Sequence, residues 1–312
     1  MTRAGLVVAS TLAFAAWGWA NDGGRVVGHA RGETRVPARP ARVVVLTNEA
    51  TEAALALGVR PVAAVRSWSR AGWHPHLAAL MEGVPVVGDE YAPDEQAIAR
   101  LEPDLILGND LRQAARFNAL SAIAPTVFSK RLHGRWKENL RLYAHAMGRA
   151  AAAEERIGDW ERRVAEARRR LPHAERTRVA VVRFMPRATR IYYADSFPGT
   201  ILAALGFARA PAPPPPDDFV QDLTPDRVGE LASADVLFHM TFEMGEGDAR
   251  AREKAWTSLP GWRTLPAVRS GHAFEVDDGV FNTSGGILAA RLALDEIVRL
   301  LGPSRRGRAA RP

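Results

Sequence analysis

Short apolar runs alternate with helical patterns in two separate stretches of this 312-residue chain. Such alternation predicts βαβ units and a sheet with parallel strands. In the first stretch, strand-like runs lie at 42–47, 62–65, 84–87, 105–107 and 126–128, and helical patterns lie at 49–57 and 96–101. In the second stretch, strand-like runs lie at 179–184, 191–193, 236–239 and 273–276, and helical patterns lie at 198–205, 226–231 and 286–301.

The two stretches are separated by 134–172, where apolar residues keep a helical spacing. Within this segment the first proline is at position 172. This amphipathic pattern predicts one long helix, with an interruption near Gly148 or Gly158 as the alternative. The predicted fold class is therefore α/β, with two Rossmann-like lobes at 21–133 and 173–301 joined by one long rigid helix. We expect the ligand cleft to lie between the lobes.

The N-terminus has the three parts of a secretory signal peptide. Arg3 supplies the positive region, 6–17 the apolar run, and the GWA tripeptide before Asn21 the small-x-small cleavage site. The run is too short for a membrane span, which needs about 20 apolar residues. The chain has no cysteine, so neither a disulfide nor a lipidated cysteine is available. We predict that 1–20 is a cleaved signal peptide and that the protein is periplasmic.

The chain is basic, with 42 Lys and Arg against 35 Asp and Glu and a formal charge of +7. A basic patch on one face would indicate a nucleic-acid partner. Here the arginines are scattered, and the one dense group, 305–311, lies in a Gly/Ala/Pro-rich tail. We therefore predict no nucleic-acid partner and a disordered basic tail at 302–312.

Six segments occur in order between residues 28 and 301: GHARGETRVPARPARVVVL, ALGVRPVAAV, ARLEPDLIL, AIAPTVF, VVRFMPRATRIYYADSFPGTILAALGF and GWRTLPAVRSGHAFEVDDGVF. In this order they resemble the iron-siderophore substrate-binding proteins of ABC importers, the helix-bridged class of ferric-citrate or hydroxamate type. The resemblance implies two lobes around a cleft, periplasmic capture of a ferric siderophore, and delivery to an inner-membrane ABC permease. It also implies a monomer that binds its ligand without a cofactor.

Two arginines follow apolar strand runs, one in each predicted lobe. Ligands of open α/β sheets bind beyond the carboxyl ends of the strands, and a guanidinium offers both a planar fork for oxygens and a face for stacking. Arg183 and Arg66 are thus predicted to face each other across the cleft, without a strong acidic counterpart. The resemblance implies a ligand contact for Arg183, whereas Arg66 rests on its strand end alone. The predicted wall aromatics are Trp68, Trp73, Tyr91 and Phe242. An anionic citrate-hydroxamate chelate and a neutral trihydroxamate both remain open.

Histidines provide the alternative within the same fold. His74 and His76 form a His-x-His pair, and imidazole suits zinc, copper, iron and nickel, although no Asp or Glu stands beside the pair in the sequence. His239 ends a strand-like run and is a further candidate for the cleft. A receptor for haem, cobalamin or a bare metal ion is therefore the alternative. The primary prediction includes no direct protein ligand to metal.

Catalysis has little support in the sequence. We find no G-x-S-x-G, no H-E-x-x-H, no glycine-rich phosphate loop and no cysteine nucleophile. Asp195 and Ser196 could serve a hydrolase only if His239 lay beside them. We predict that the protein is not an enzyme.

Permease docking follows from the resemblance. In the resembled family each lobe offers one carboxylate to the permease arginines. Counting back seven residues from Pro103 gives Gln96, which is not a carboxylate, and the second-lobe pattern in LTPDRV gives Asp226. Asp226 is therefore the predicted main contact, with Glu95 or Glu90 substituting weakly in the first lobe.

Overall fold

The computed structural model describes residues 23–69, 72–211 and 219–303. The predicted signal peptide at 1–20 lies outside these residues, as does 304–312 of the predicted tail. Within the described ranges, no helix combines the length and the apolar character that crossing a bilayer requires.

The N-terminal lobe is built on a parallel sheet with strand order β4-β3-β5-β6. Its β3 strand consists of three valines, all fully buried, as is typical of a parallel strand covered on both faces. The predicted strand at 84–87 forms only an isolated bridge, between Val86 and Ala64. The elements are β1 (Arg25–His29), β2 (Gly32–Val36), β3 (Val43–Val45), α1 (Asn48–Ala56), β4 (Ala63–Ala64), α2 (Glu95–Arg100), β5 (Leu105–Asn109), α3 (Asp110–Gln113), α4 (Phe117–Ile123) and β6 (Thr126–Ser129).

The region predicted as one long helix contains two helices, α5 (Trp136–Ala146) and α6 (Ala150–Arg170). A single helix over 134–172 is therefore wrong, and the alternative of an interruption near Gly148 is confirmed. The chain turns at Gly148, which has φ +70°, a left-handed conformation that glycine adopts without a steric penalty. The amphipathic spacing was correct on both sides of this turn.

The second of these helices, α6, bridges the lobes. Near its start, Arg156 donates from Nε to the carbonyl oxygen of Ala56 at the end of α1, over 3.1 Å. Near its end, Arg168 donates from Nε to the carbonyl oxygen of Ala204, over 2.7 Å. The helix-bridged fold therefore holds, with α6 as the bridging element.

The C-terminal lobe has a mixed sheet with strand order β10-β8-β7-β11-β12, and β9 also pairs with β7. Strands β9, β7, β11 and β12 are parallel, whereas β8 runs antiparallel to β7. Only 185–188 connect β7 to β8, which is too short for a crossover. The elements are β7 (Arg178–Phe184), β8 (Thr189–Tyr192), α7 (Phe197–Leu205), β9 (Ala208–Arg209), β10 (Val220–Asp222), β11 (Val236–Thr241), α8 (Asp248–Thr257), α9 (Pro260–Arg263), α10 (Pro266–Arg269), β12 (Ala273–Glu275) and α11 (Ile287–Leu301), with a 3₁₀ helix at Pro225–Ser233.

A buried carboxylate joins the last helix to the first lobe. Glu52 of α1 is fully buried, and its Oε2 accepts from the backbone N–H groups of Leu288 and Ala289 at 2.9 and 3.0 Å. These N–H groups lie at the start of α11, where a helix has no internal acceptors and favours negative charge. A Cβ at Gly286 would lie 2.4 Å from Glu52 Oε2, so this approach requires glycine.

Candidate functional site

A cavity of about 500 Å³ opens between the lobes. Its walls come from the segments that follow β3, β5 and β6 in the first lobe and β11 in the second, together with β7, β8 and the loop before α11. The cavity therefore lies beyond the carboxyl ends of parallel strands, where open α/β sheets bind ligands. This is the location predicted for the cleft.

Arg183, the penultimate residue of β7, lines the cavity and is 8% exposed. Its Nε and Nη2 donate to the two carboxylate oxygens of Asp278 at 2.5 and 2.9 Å, and Nη2 also donates to Thr283 Oγ1 at 3.1 Å. Its Nη1 donates to Tyr192 Oη at 3.2 Å. The prediction that Arg183 lacks an acidic counterpart is wrong, because Asp278 forms a bidentate pair with it. A guanidinium has five N–H groups, and one on Nη1 remains for a ligand.

The arginine that completes the first-lobe side is Arg112 of α3 and not Arg66. Arg112 Nε lies 3.3 Å from Glu90 Oε2, its Nη1 donates to Tyr91 Oη, and its guanidinium carbon lies 4.8 Å from the Tyr91 ring centre. Among the described residues, Arg112 Nη2 makes no hydrogen bond. This nitrogen is therefore a free donor group beside the cavity.

Aromatic rings form much of the cavity wall. Trp68 lies with its ring centre 5.8 Å from that of Tyr91 and 6.2 Å from that of Phe242, and the Arg183 guanidinium lies 4.5 Å above the Phe242 ring. On the opposite side, Phe219 stacks on His133 at 4.1 Å. Burial, with Arg112 and Arg183 adding to it, lowers the pKa of His133 to about 4, so this imidazole is neutral at pH 7. The wall is thus apolar and flat, with charge concentrated on the arginines.

Arg190 and Tyr192 reach the cavity because of strand register. Arg190 lies opposite Arg183 in the β7–β8 pair, and Tyr192 is two residues further on the same face. Arg190 Nε donates to Asp222 Oδ1 at 2.8 Å, so each arginine of the cavity has a carboxylate partner. The cavity therefore offers oriented N–H donors, and each guanidinium that lines it in the described part of the chain has a carboxylate partner.

Glu49 and Glu90 are the acidic side chains of the first-lobe wall, and both are buried. Glu90 Oε1 accepts from the backbone N–H and the side chain of Asn48 at 2.7 and 2.8 Å. Glu49 Oε1 accepts from Asn139 Nδ2 at 2.7 Å. Burial, followed by the nearby charges of Glu90 and Glu52, raises the pKa of Glu49 well above its usual range despite the Asn139 bond. Burial at this position therefore favours the neutral acid over the carboxylate.

Three predicted site residues lie away from the cavity. Arg66 is exposed, because β4 ends at Ala64 and strand alternation no longer directs the side chain. Trp73 packs against the main hydrophobic core. His239 lies opposite Val182 in the β7–β11 pair, so it points to the face opposite that of Arg183. There it contacts Glu253, with Nδ1 to Oε1 at 3.4 Å, and lies beside Trp262.

The His-x-His pair has a structural environment. No acid is adjacent to the pair in the sequence, but His76 Nε2 lies 2.7 Å from Oε1 of Glu52, which is 24 residues away along the chain. His74 is 2% exposed and stacks on His76 at 5.9 Å. In the part of the chain that the structure describes, no three His, Cys, Asp or Glu side chains are grouped so as to hold a metal ion.

Ser196 has a structural role as well. It caps α7, with its hydroxyl accepting from the Gly199 N–H at 3.1 Å and donating to the Tyr193 carbonyl oxygen at 2.5 Å. Its side chain is fully buried. A hydroxyl engaged in this way is not presented to a substrate.

The predicted docking residues have different environments. Asp226 is exposed at the start of the 3₁₀ helix, and Gln96 is exposed on α2. Glu95 forms an ion pair with Arg116 at 3.2 Å. Glu90 is 4% exposed and turned to the cavity, so it is not a rim residue and the prediction that it substitutes in docking is wrong.

Several cavity residues were not found from the sequence. Arg112 follows the end of β5 much as Arg183 ends β7, so the same strand-end argument would have found it. Tyr192 and Arg190 required the antiparallel register of β8. Glu49 and Phe219 had no signal in the sequence, because a helix start and a loop do not reveal which way a side chain turns.

The comparisons with known proteins agree with this geometry. Residues 43–279 match the model of the family described as periplasmic binding protein. The chain belongs to this family. The binding protein is 46% identical over 282 residues to the probable siderophore-binding lipoprotein YfiY of Bacillus subtilis, covering 88% of this chain and 86% of the relative. It is 30% identical to the achromobactin-binding periplasmic protein of Dickeya dadantii, covering 84% and 87%.

Among solved structures, Staphylococcus aureus SirA in complex with staphyloferrin B superposes on the binding protein with a TM-score of 0.80. The two are 28% identical, and the match covers 89% of this chain and 98% of SirA. The two-lobed, helix-bridged architecture predicted from the sequence is therefore confirmed.

Proposed function

We propose that this binding protein captures a ferric siderophore between its lobes and delivers it to an ABC permease of the inner membrane. The similarity to the probable siderophore-binding lipoprotein YfiY and to SirA complexed with staphyloferrin B supports this ligand class. The protein binds and releases its ligand without converting it. The lobes that enclose the ligand are 21–133 and 173–301.

The observation that carries the proposal is the combination of Arg112, Arg183 and Arg190 with an aromatic wall in one interlobe cavity. Ferric siderophores of the citrate, hydroxamate and catecholate kinds surround the iron with oxygen atoms on organic frames. N–H groups fixed by carboxylate partners suit those oxygens, and Trp68 and Phe242 suit the flat or apolar parts of the frame. The iron is bound by the siderophore, so the protein needs no metal ligands of its own.

The remaining features of transport belong to the same proposal. The chain is exported through the signal peptide at 1–20, which is then cleaved, and acts as a monomer in the periplasm. It docks through Asp226 on the second lobe, and through Gln96 and the paired Glu95 on the first. Asp226 is exposed, and the hydrogen bond from Thr224, followed by its own backbone N–H, lowers its pKa, so it stays ionised for a permease cation.

Intrinsic tryptophan fluorescence tests the proposal. Purified protein is titrated with ferric citrate, a ferric trihydroxamate and a ferric tris-catecholate, each beside its iron-free form, and with haemin, cobalamin and free Fe³⁺. We expect micromolar or tighter quenching by at least one ferric chelate and not by its iron-free form. Trp68→Phe should remove much of the quenching. Trp262→Phe is the matched control, because Trp262 is buried beside His239 and does not line the cavity.

Quenching by none of the ferric chelates would refute the proposed function. Selective quenching by haemin, cobalamin or free Fe³⁺ would show instead that the protein is a receptor for that ligand, the alternative within the same fold.

A further inference from the structure

Glu49 and Glu90 are both buried acids of the cavity wall. Glu90 pairs with Arg112, whereas no described arginine pairs with Glu49. Its carboxyl lines the cavity at the start of α1 and is 5% exposed. Oε1 accepts from Asn139 Nδ2, which also donates to the Arg131 carbonyl oxygen at 2.6 Å, so the amide is fixed on both sides. Among the described residues, Glu49 Oε2 has no hydrogen-bond partner. Glu49 therefore presents one satisfied oxygen to the protein and one free oxygen to the cavity.

We propose that Glu49 contacts the bound chelate as a carboxylic acid and donates its O–H to an anionic oxygen of that chelate. The inference rests on the proposed function and adds to it a residue that selects the ligand. A chelate with a carboxylate or another anionic oxygen at this position gains a hydrogen bond, and one without it leaves the acid unpaired.

The groups that face Glu49 favour this protonation. Glu90 lies on the same wall and Glu52 one turn along α1, while α5 contributes Glu138 and the buried hydroxyl of Tyr143. All of these are neutral or negative, and Arg112 on the same wall lies 3.3 Å from Glu90. A second carboxylate charge here would be unfavourable, whereas the neutral acid satisfies Asn139 through one oxygen and a ligand through the other.

Binding is then coupled to a proton. Below the folded-state pKa of Glu49 the acid is already in place, and an anionic chelate binds without proton uptake. Above that pKa, the free protein must take up one proton to form the same complex, so affinity falls by up to about tenfold for each pH unit. An amide at position 49 keeps a donor and an acceptor but does not titrate.

The test compares wild type with Glu49→Gln, using the anionic probe ferric citrate and the ferric tris-catecholate, from pH 5 to pH 9. For each chelate, the dissociation constant of wild type is divided by that of Glu49→Gln, and this ratio is plotted against pH. Titration of the chelate and of all other protein groups cancels in the ratio. We expect a ratio near one at low pH that rises, by up to about tenfold for each pH unit, once the pH exceeds the folded-state pKa of Glu49. Glu49→Met, which keeps the volume but removes the donor, should weaken binding by about ten- to a hundredfold at low pH.

Glu138→Gln is the control, since Glu138 is exposed and does not line the cavity. It should follow the wild-type curve with at most a small shift along the pH axis. Thermal melts of all variants at each pH verify that they are folded.

A Glu49→Met variant with wild-type affinity at low pH would overturn the inference. A ratio that stays flat across a pH at which the infrared band of the protonated Glu49 carboxyl disappears would overturn it as well. A ligand-free readout separates these failures from failure of the proposed function. The infrared difference spectrum of wild type minus Glu49→Gln at pH 7 should contain the C=O band of a protonated carboxyl. Chelate binding without this band refutes the inference alone, whereas absence of chelate binding refutes the proposed function and the inference with it.

Discussion

The joint between Glu52 and α11 is open to a quantitative test through Glu52→Ala. The fully buried carboxylate accepts from two backbone N–H groups of α11 and lies 2.7 Å from His76 Nε2. Truncation to alanine removes these bonds at once. It leaves the N–H groups of Leu288 and Ala289 without an acceptor at a helix end packed against α1.

The expected loss of stability follows from these contacts. An unsatisfied buried donor costs about 1–3 kcal/mol, and loss of negative charge at a helix N-terminus costs about 0.3–2 kcal/mol. These contributions are not additive, because water enters the space left by the carboxylate. We therefore expect Glu52→Ala to lower the free energy of unfolding by about 3–5 kcal/mol, which lies below the upper limit of the sum for two donors and one charge.

Urea unfolding, followed by circular dichroism, measures this difference. Glu52→Gln is the matched variant, since its amide oxygen still accepts from both N–H groups, and it should lose less than half as much. His76→Ala isolates the imidazole contact and should cost about 1–2 kcal/mol. A Glu52→Ala variant that loses less than about 1 kcal/mol would show that the carboxylate does not hold α11 to the first lobe.

Three further outcomes are expected. Arg183→Ala should weaken binding of an anionic ferric chelate by about ten- to a hundredfold. Arg183→Lys should recover only part of this affinity, because a point charge does not reproduce the planar guanidinium fork. Unchanged affinity in a folded Arg183→Ala variant would show that Arg183 does not contact the ligand. Asp226→Arg should abolish iron uptake in cells and leave chelate titrations unchanged, with Gln96→Arg as the first-lobe comparison; surviving uptake would refute the docking assignment. X-ray scattering profiles of free and loaded protein should nearly superimpose, because α6 and the Glu52 joint restrict lobe motion; a marked contraction on loading would contradict the rigid bridge.

The sequence alone determined the architecture of this protein. Apolar runs of β-branched residues such as the valines of β3 form buried strands wherever they occur, because local conformation and burial favour the same structure. The amphipathic spacing after Gly134 required helices, and the strand end at Arg183 located the cleft. These features depend on short-range periodicity, which a single sequence contains.

Tertiary structure decided the chemistry of the cavity. A shift of one residue in strand register moves a side chain to the other face, and the register of β7 with β11 turned His239 away from the cavity that Arg183 faces. Asp278 lies 95 residues from Arg183 along the chain, yet its carboxylate is the ion-pair partner of Arg183, which the sequence did not reveal. Burial, with Glu90 and Glu52 nearby, raises the pKa of Glu49. Pairing, register and burial are properties of long-range contacts, so they follow only once the lobes are packed.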